Sequence, residues 1–256
     1  MANRKAALPA LFTVGNLLCG FLSVLYAVDG RFVPAAWLII VAWFIDGLDG
    51  KVARLTHSAS RFGVELDSLA DLCSFGLAPT VLMLRYRLYV LRGWGIALGF
   101  LFFVCGAIRL ARFNVQVEEA AYASKADKRR PFVKRNFCGL PIPAAAWAIA
   151  SYTLFGERVW EGFLSLQVCS TFVVFLSFLM VSTFEYDALQ FARDSFWNRF
   201  KLIFAVVGAL AIVFFPHEVL FPLSLVYMSS GIVRGVVHLI AGEDREVVEI
   251  PGRSAD

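Results

Sequence analysis

Long apolar runs alternate with short polar segments along most of the chain. A helix needs about 20 apolar residues to cross a bilayer, and runs near this length predict eight helices. Their predicted bounds are 8–28, 32–49, 64–84, 93–112, 140–155, 162–183, 200–215 and 218–240. The turn signal "DGRF" divides the first two helices, and "PHE" divides the last two. This pattern predicts an all-α integral membrane protein with about eight transmembrane helices.

The same pattern predicts how the chain is organised. The first apolar run follows "MANRK" and lacks a small-residue cleavage pattern, so it is interpreted as a first span rather than a signal peptide. The longest polar stretch, 114–136, predicts a loop with a short surface helix. No internal repeat is evident. We therefore predict one membrane domain over residues 1–240 and a short polar cytoplasmic tail over 241–256.

Composition agrees with a membrane protein and narrows the chemistry. The chain is 59% hydrophobic with a mean hydropathy of +0.69, whereas soluble domains are about 45–50% apolar. Its five cysteines are scattered without a C-x-x-C pair, and its three histidines lie far apart. These patterns argue against a disulfide framework and against a zinc or histidine-based metal site. No nucleic-acid-binding module is present in the sequence.

The distribution of Lys and Arg predicts the orientation. With a cytoplasmic N-terminus, the eight predicted spans place 19 of the 24 basic residues on the cytoplasmic side. Cytoplasmic loops of membrane proteins carry such an excess, so both termini are predicted to be cytoplasmic. The basic cytoplasmic segments would also attract anionic lipid headgroups.

Four aspartates stand at the cytoplasmic ends of the second and third predicted spans. An aspartate at the centre of a membrane helix costs roughly 2.5–3.5 kcal/mol on insertion scales, so their presence needs a reason. Asp46 and Asp49 are separated by three positions, and Asp67 and Asp71 by four. Each pair therefore lies on one helix face. The intervening "LTHSASRF" segment can reverse the chain and bring the two faces together.

Four converging carboxylates would repel one another unless cations lay between them. Hard divalent cations prefer oxygen ligands, and a pair of them can clamp a phosphoryl group. Two such ions would balance the four negative charges. Glycines interleaved with the aspartates, Gly47, Gly50 and Gly63, leave room for a ligand or a close helix. A single carboxylate at a helix end usually only caps or reaches the surface, but this explanation fits poorly for four on matched faces.

The spacing of these residues resembles the CDP-alcohol phosphotransferase signature, D-x2-D-G-x2-A-R-x8-G-x3-D-x3-D. All nine fixed positions match, from Asp46 to Asp71. The resemblance implies the fold of that family, a homodimer, a CDP-linked donor and two divalent cations, Mg²⁺ or Mn²⁺. By the same resemblance Asp46, Asp49, Asp67 and Asp71 are metal ligands, Asp71 is also the general base, and Gly50, Arg54 and Ser60 contact the CDP-lipid. Gly63, and Asn16 as a buried polar residue of the first span, are further candidates for that contact.

Four other stretches resemble the membrane-integral phosphatidylserine synthases of the same family. They are "LFTVGNLLCGF" (11–21), "GVELDSLADLCSFGLAP" (63–79), "AIRLARFNV" (107–115) and "FCGLPIPAAA" (137–146). The implied reaction joins CDP-diacylglycerol and L-serine to give phosphatidylserine and CMP. Inositol phosphate, glycerol phosphate or choline as acceptor stays an alternative, and a cation transporter is a more distant one.

The acceptor serine would bring a carboxylate into the site. Arg109, Arg112 and Asn114, near the cytoplasmic end of the fourth predicted span, are candidates for binding it, because Arg can pair two carboxylate oxygens at once. A simple topological explanation also remains open, since Arg is common at cytoplasmic helix ends.

Overall fold

The computed structural model describes residues 2–56, 61–126, 139–159, 165–182 and 215–241. These residues form helices joined by short turns, and none of them is in a strand. The helices are α1 (Ala2–Val28), α2 (Phe32–Thr56), α3 (Arg61–Asp71), a π-helical turn (Leu72–Leu77), α4 (Ala78–Tyr86), a 3-10 turn (Leu88–Leu91), α5 (Gly93–Ala126), α6 (Ile142–Arg158), α7 (Leu166–Val181) and α8 (Pro216–Ala241). The all-α prediction is confirmed for this part of the chain.

Within the part of the chain that the structure describes, three helical segments are long and apolar enough to cross a membrane. They are Ala10–Val28, Phe62–Tyr86 and Gly93–Val117. The second is the predicted span 64–84, which consists of α3, the π-helical turn and α4 in one continuous run. Shorter apolar helices cover Phe32–Leu48 and Leu166–Val181. The predicted span 200–215 and the predicted tail lie almost wholly outside the described residues, so the total of eight spans stays a prediction.

One predicted boundary is wrong. The polar stretch that begins at residue 114 was expected to be a loop with a separate short helix, but α5 continues unbroken to Ala126. The added segment, "NVQVEEAAYASKA", is rich in alanine and glutamate, which favour helices. A hydropathy criterion ends the helix where the apolar run ends, whereas helix propensity allows it to continue into the polar region.

The first two helices form an antiparallel hairpin. Gly30 adopts a positive φ of 76° in the turn between them, a conformation that glycine accepts without strain. Small residues, Ala27, Ala35 and Ala36, are fully buried, and the Ser23 hydroxyl donates to the Ala35 carbonyl at 2.8 Å. Close helix approach through small residues is typical of membrane helices.

A central helical run, α3 to α4, packs between this hairpin and the later helices. The core contains Phe75 and Leu82 from this run, Ile39 from α2 and Tyr152 from α6, all fully buried or nearly so. Large apolar side chains of α1 and α5 instead point outward, with Phe100 on α5 64% exposed. An outward apolar surface suits contact with lipid, because lipid tails are as apolar as a protein interior.

The segment before α6 is fastened to the end of α7. Gly139 has a φ of +85°, and a Cβ there would lie 3.0 Å from the Ser182 carbonyl oxygen. The Leu140 amide donates to the Leu179 carbonyl at 2.9 Å. The glycine of the "GLPIP" motif therefore permits a close backbone contact between the segment before α6 and the end of α7.

Candidate active site

Three of the four predicted aspartates, one on α2 and two on α3, come together in the structure. Asp46, Asp67 and Asp71 each offer a carboxylate oxygen, and these oxygens all lie within 4.8 Å of one another. All three side chains are half-buried. The i, i+4 spacing on α3 places Asp67 and Asp71 on the same face of that helix, one turn apart. Helix α2 supplies Asp46. The side chain of Asp49 lies outside the described residues.

Helix α1 contributes Asn16 to the same place. The Asn16 side chain is fully buried, and its Nδ2 donates to Asp71 Oδ1 at 3.2 Å. A carboxylate can only accept hydrogen bonds when ionised, so the amide nitrogen must face Asp71 and the amide oxygen must face away. That oxygen, Oδ1, is buried without a hydrogen-bond partner among the described residues. Within this cluster Asn16 therefore acts as a hydrogen-bond donor to Asp71.

The backbone around Asn16 is held by the π-helical turn that follows Asp71. The buried Ser74 hydroxyl donates to the Asn16 carbonyl at 2.9 Å. Gly20, one turn after Asn16, allows this approach, because a Cβ there would lie 2.7 Å from Ser74 Cα. Single π-helical turns are frequent at functional sites. Here the turn fixes α1 against α3 and so fixes the distance between Asn16 and Asp71.

The donor set fits a hard divalent cation. Three converging carboxylates are the kind of ligand that Mg²⁺, Mn²⁺ or Ca²⁺ prefers. Carboxylates this close repel one another strongly, and a cation between them removes that cost.

The predicted acceptor residues on α5 have three different surroundings. Arg109 is buried, with 9% of its surface exposed, and its guanidinium lies 5.5 Å from the centre of the Phe113 ring. Arg112 is exposed, and its Nη1 donates to the Val181 carbonyl at 3.2 Å. Asn114 Nδ2 donates to the Ser68 hydroxyl at 2.9 Å. Only Arg109 of the two arginines is therefore enclosed by the bundle near the aspartates.

The predicted CDP-lipid residues are described only in part. Gly63 lies half-buried on α3, one turn before Asp67, and Asn16 contacts Asp71 as stated above. Ser60 lies outside the described residues, and on α2 neither the surroundings of Gly50 nor the side chain of Arg54 is described. The sequence interpretation did not single out Thr13 or Ser74. Thr13 is 3% exposed and stands three positions before Asn16 on the same face of α1. This spacing is the sequence feature that could have indicated that Thr13 is buried beside Asn16.

Comparison with known proteins places this arrangement in a family. The family model for CDP-alcohol phosphatidyltransferase matches residues 6–181, which include every aspartate of the cluster. The chain therefore belongs to the CDP-alcohol phosphatidyltransferase family.

Particular relatives carry more specific names. The chain is 38% identical to a CDP-diacylglycerol–serine O-phosphatidyltransferase of Helicobacter pylori over 229 residues, which is 88% of this chain and 90% of the relative. It is 38% identical to an archaetidylserine synthase of Methanothermobacter thermautotrophicus over 72% of this chain and 71% of the relative. A Bacillus subtilis protein, also named CDP-diacylglycerol–serine O-phosphatidyltransferase, is 30% identical over 75% of this chain and 98% of its own length.

Proposed function

We propose that the protein transfers the phosphatidyl group of CDP-diacylglycerol to the hydroxyl of L-serine, giving phosphatidylserine and CMP. The observation that carries this proposal is the cluster of Asp46, Asp67 and Asp71 in a chain whose relatives carry serine transferase names over most of its length. The names of both kinds of relative specify serine, which favours serine over inositol phosphate, glycerol phosphate or choline.

The reaction exchanges one phosphorus–oxygen bond for another. The serine oxygen attacks the phosphorus that bears the diacylglycerol, the bond from that phosphorus to the CMP oxygen breaks, and CMP leaves. The serine hydroxyl loses its proton to Asp71, which we assign as the general base. Asn16 holds Asp71 through the 3.2 Å hydrogen bond, so the accepting carboxylate keeps a fixed orientation towards the donor phosphate.

Asp46, Asp49, Asp67 and Asp71 would hold two divalent cations, Mg²⁺ or Mn²⁺. Cations held there would supply positive charge against the diphosphate of the donor and would make the acceptor hydroxyl more acidic. This effect allows a carboxylate to serve as a sufficient base even though it is also a ligand. Gly50, Arg54, Ser60 and Gly63 follow the same signature and would contact the CDP part of the donor.

The protein would work at the cytoplasmic surface of the cell membrane. Its apolar helices and the excess of basic residues in predicted cytoplasmic segments support a multi-pass protein with both termini and the active site facing the cytoplasm. We further propose one membrane domain over residues 1–240, eight spans and a homodimer.

The decisive experiment measures CMP release by the purified protein with CDP-diacylglycerol and one acceptor at a time. L-serine should support turnover, whereas glycerol phosphate, inositol phosphate and choline should support little. Excess chelator should stop the reaction, and added Mg²⁺ or Mn²⁺ should restore it. Preference for another acceptor would refute serine as the substrate, and full activity in chelator would refute the metal site.

A further inference from the structure

We propose that the end of the helical bundle opposite to the aspartates binds a phosphate group through Tyr86, Arg87 and Tyr152. The phosphate is carried by a membrane phospholipid or is free in solution, and the same three side chains recognise it in either case. This site lies apart from the site of transfer, so the proposal does not depend on the proposed function.

The position of Tyr86 in the membrane is the first observation. The helical run that carries Asp67 and Asp71 continues to Tyr86, the last residue of the candidate span Phe62–Tyr86. Asp71 and Tyr86 are therefore roughly 20 Å apart along the run, at about 1.5 Å per residue. The span has 25 residues, which makes it longer than the roughly 30 Å hydrocarbon core of a bilayer. Its end at Tyr86 therefore reaches the depth of the lipid headgroups.

Helices α4, α6 and α7 meet beside Tyr86. Cys169 Sγ on α7 lies 3.7 Å from Met83 Sδ on α4, and Tyr86 follows Met83 by one turn on the same helix face. The Tyr152 ring of α6 stacks on the Phe172 ring at 5.2 Å, and Phe172 is one turn from Cys169 on α7. Contacts on neighbouring turns of α7 thus bring Tyr86 and Tyr152 to the same part of the bundle.

Three buried polar atoms in this region have no hydrogen-bond partner among the described residues. They are Tyr86 Oη, Arg87 Nε and Tyr152 Oη. Tyr152 is fully buried and Tyr86 is 5% exposed, while the Arg87 guanidinium lies 4.9 Å from the centre of the Tyr86 ring. In agreement with these contacts, Tyr152 interacts electrostatically with both Tyr86 and Arg87. Unpaired buried polar groups are costly, so we expect a ligand to satisfy them.

The chemistry of these three atoms favours a ligand that accepts hydrogen bonds. The Nε of Arg87 can only donate, and each tyrosine hydroxyl can donate one hydrogen bond. A phosphate group carries negative charge and presents several oxygens around one centre, so it can accept from donors that come from different helices. Arginine is also the side chain most suited to phosphate recognition. The donor set therefore fits a phosphate group.

The charge at this end of the bundle also favours an anion. Glu157 is exposed at the end of α6 and interacts electrostatically with Tyr86, so it opposes an anion in part. Among the described residues at these helix ends, however, five arginines stand against three acidic residues. The arginines are Arg31, Arg85, Arg87, Arg92 and Arg158, and the acidic residues are Asp29, Glu157 and Glu218.

The test measures thermal unfolding of the purified protein in a sugar-based detergent that contains no phosphate. Excess chelator is present, so that the aspartates hold no cation and do not attract the added ligands. Separate arms add dioleoylphosphatidylglycerol, dioleoylglycerol (the same acyl chains without phosphate) and inorganic phosphate. The melting temperature should rise with dioleoylphosphatidylglycerol and not with dioleoylglycerol, because a ligand that binds the folded state stabilises it. A rise with inorganic phosphate as well would support the site and show that it accepts free phosphate.

Three variants each remove one donor, namely Tyr86→Phe, Tyr152→Phe and Arg87→Gln. The ligand concentration for the half-maximal rise should increase by about tenfold or more in each, because hydrogen bonds to a charged group are strong. The matched controls are Tyr89→Phe and Arg85→Gln. Tyr89 is 63% exposed, and Arg85 donates to the Val28 carbonyl at 3.0 Å, so both controls should keep the response of the unmodified protein.

The tyrosine variants keep their rings, so they test the proposal even if Arg87→Gln does not fold. An equal rise with dioleoylglycerol would mean that the acyl chains alone bind, and would overturn the proposal. An unchanged half-maximal concentration in Tyr86→Phe and Tyr152→Phe, or an equal loss in the two controls, would also overturn it, as would no rise in any arm. None of these outcomes depends on whether the protein releases CMP with serine.

Discussion

At the scale of single residues, the repulsion between carboxylates determines what the site needs. Two unit charges 4.8 Å apart, the upper limit of the oxygen–oxygen separations in the cluster of Asp46, Asp67 and Asp71, repel by roughly 3 kcal/mol at an effective dielectric of about 20. Three such pairs would outweigh most single stabilising interactions of the fold. The cluster is therefore expected to be more stable with bound cations than without them.

Replacing Asp67 by Asn should abolish turnover while leaving the protein folded. The amide keeps the shape of the side chain but loses the negative charge that a divalent cation requires. We expect less than a tenth of the unmodified rate at saturating metal, equivalent to a loss above about 1.4 kcal/mol. The matched control is Glu65→Gln on the same helix, where the side chain is exposed and activity should persist. Retention of the rate in Asp67→Asn would remove Asp67 from the metal site.

Asn16→Leu tests whether the hydrogen bond to Asp71 positions that carboxylate. Leucine has a similar size, so the helix should remain packed, but Asp71 loses its partner. Groups that orient metal ligands typically change metal affinity or activity by about 10–100-fold when replaced. The Mn²⁺ concentration for half-maximal activity should rise by that factor. Ser23→Ala on the same helix removes the bond to Ala35 far from the cluster and should leave the metal requirement unchanged; a similar rise there would show that any loss of packing in α1 has this effect.

At the scale of helices, the contact between α1 and the π-helical turn sets the geometry of the site. Gly20 and Ser74 bring the two backbones together, and the Ser74 hydroxyl bonds the carbonyl of Asn16. Asn16 and Asp71 are far apart in the chain, so their distance depends on this packing rather than on either helix alone.

Gly20→Ala should therefore disturb both stability and catalysis. The added Cβ would lie 2.7 Å from Ser74 Cα, and backbone cannot move aside as easily as the end of a side chain. Overpacking of this kind costs roughly 1–3 kcal/mol, so the thermal unfolding temperature in detergent should fall together with activity. Gly93→Ala is the control, because a Cβ at Gly93 meets nothing within 4 Å. An unchanged melting temperature in Gly20→Ala would mean that the two helices can separate without cost.

The packing of the helices also explains which features of the site could be predicted from the sequence. The spacing of Asp46, Asp67 and Asp71 was sufficient to predict that they meet, because helical periodicity and one reversal of the chain determine their faces. The partner of Asp71 could not be derived, since Asn16 lies 55 positions away on a helix whose register depends on Gly20. The difference between Arg109 and Arg112 was likewise hidden. Both stand near the predicted cytoplasmic end of the fourth predicted span, and only the packing of α7 shows that Arg112 has a backbone carbonyl as its partner.

At the scale of the whole molecule, charge asymmetry and apolar helices together predict one arrangement in the membrane. The cluster of aspartates must face the compartment that holds CDP-linked donors and divalent cations, and the basic residues favour the same side. The orientation of the protein and the side on which its active site lies are thus a single prediction, because an inverted protein would expose the aspartates to the outside of the cell.

Labelling of single cysteines with a membrane-impermeant thiol reagent tests this orientation in intact cells. In a variant whose five native cysteines are replaced, Gly30→Cys in the α1–α2 turn and Trp94→Cys at the start of α5 should react without permeabilisation. Both positions are exposed in the structure and are predicted to lie outside the cytoplasm. Ser254→Cys in the predicted tail should react only after the membrane is permeabilised, because an even number of spans returns the chain to the side on which it began. Reaction of Ser254→Cys in intact cells, with Gly30→Cys also reactive, would mean an odd number of spans. Protection of Gly30→Cys with reaction of Ser254→Cys would mean that the whole protein is inverted and that the aspartates face outward.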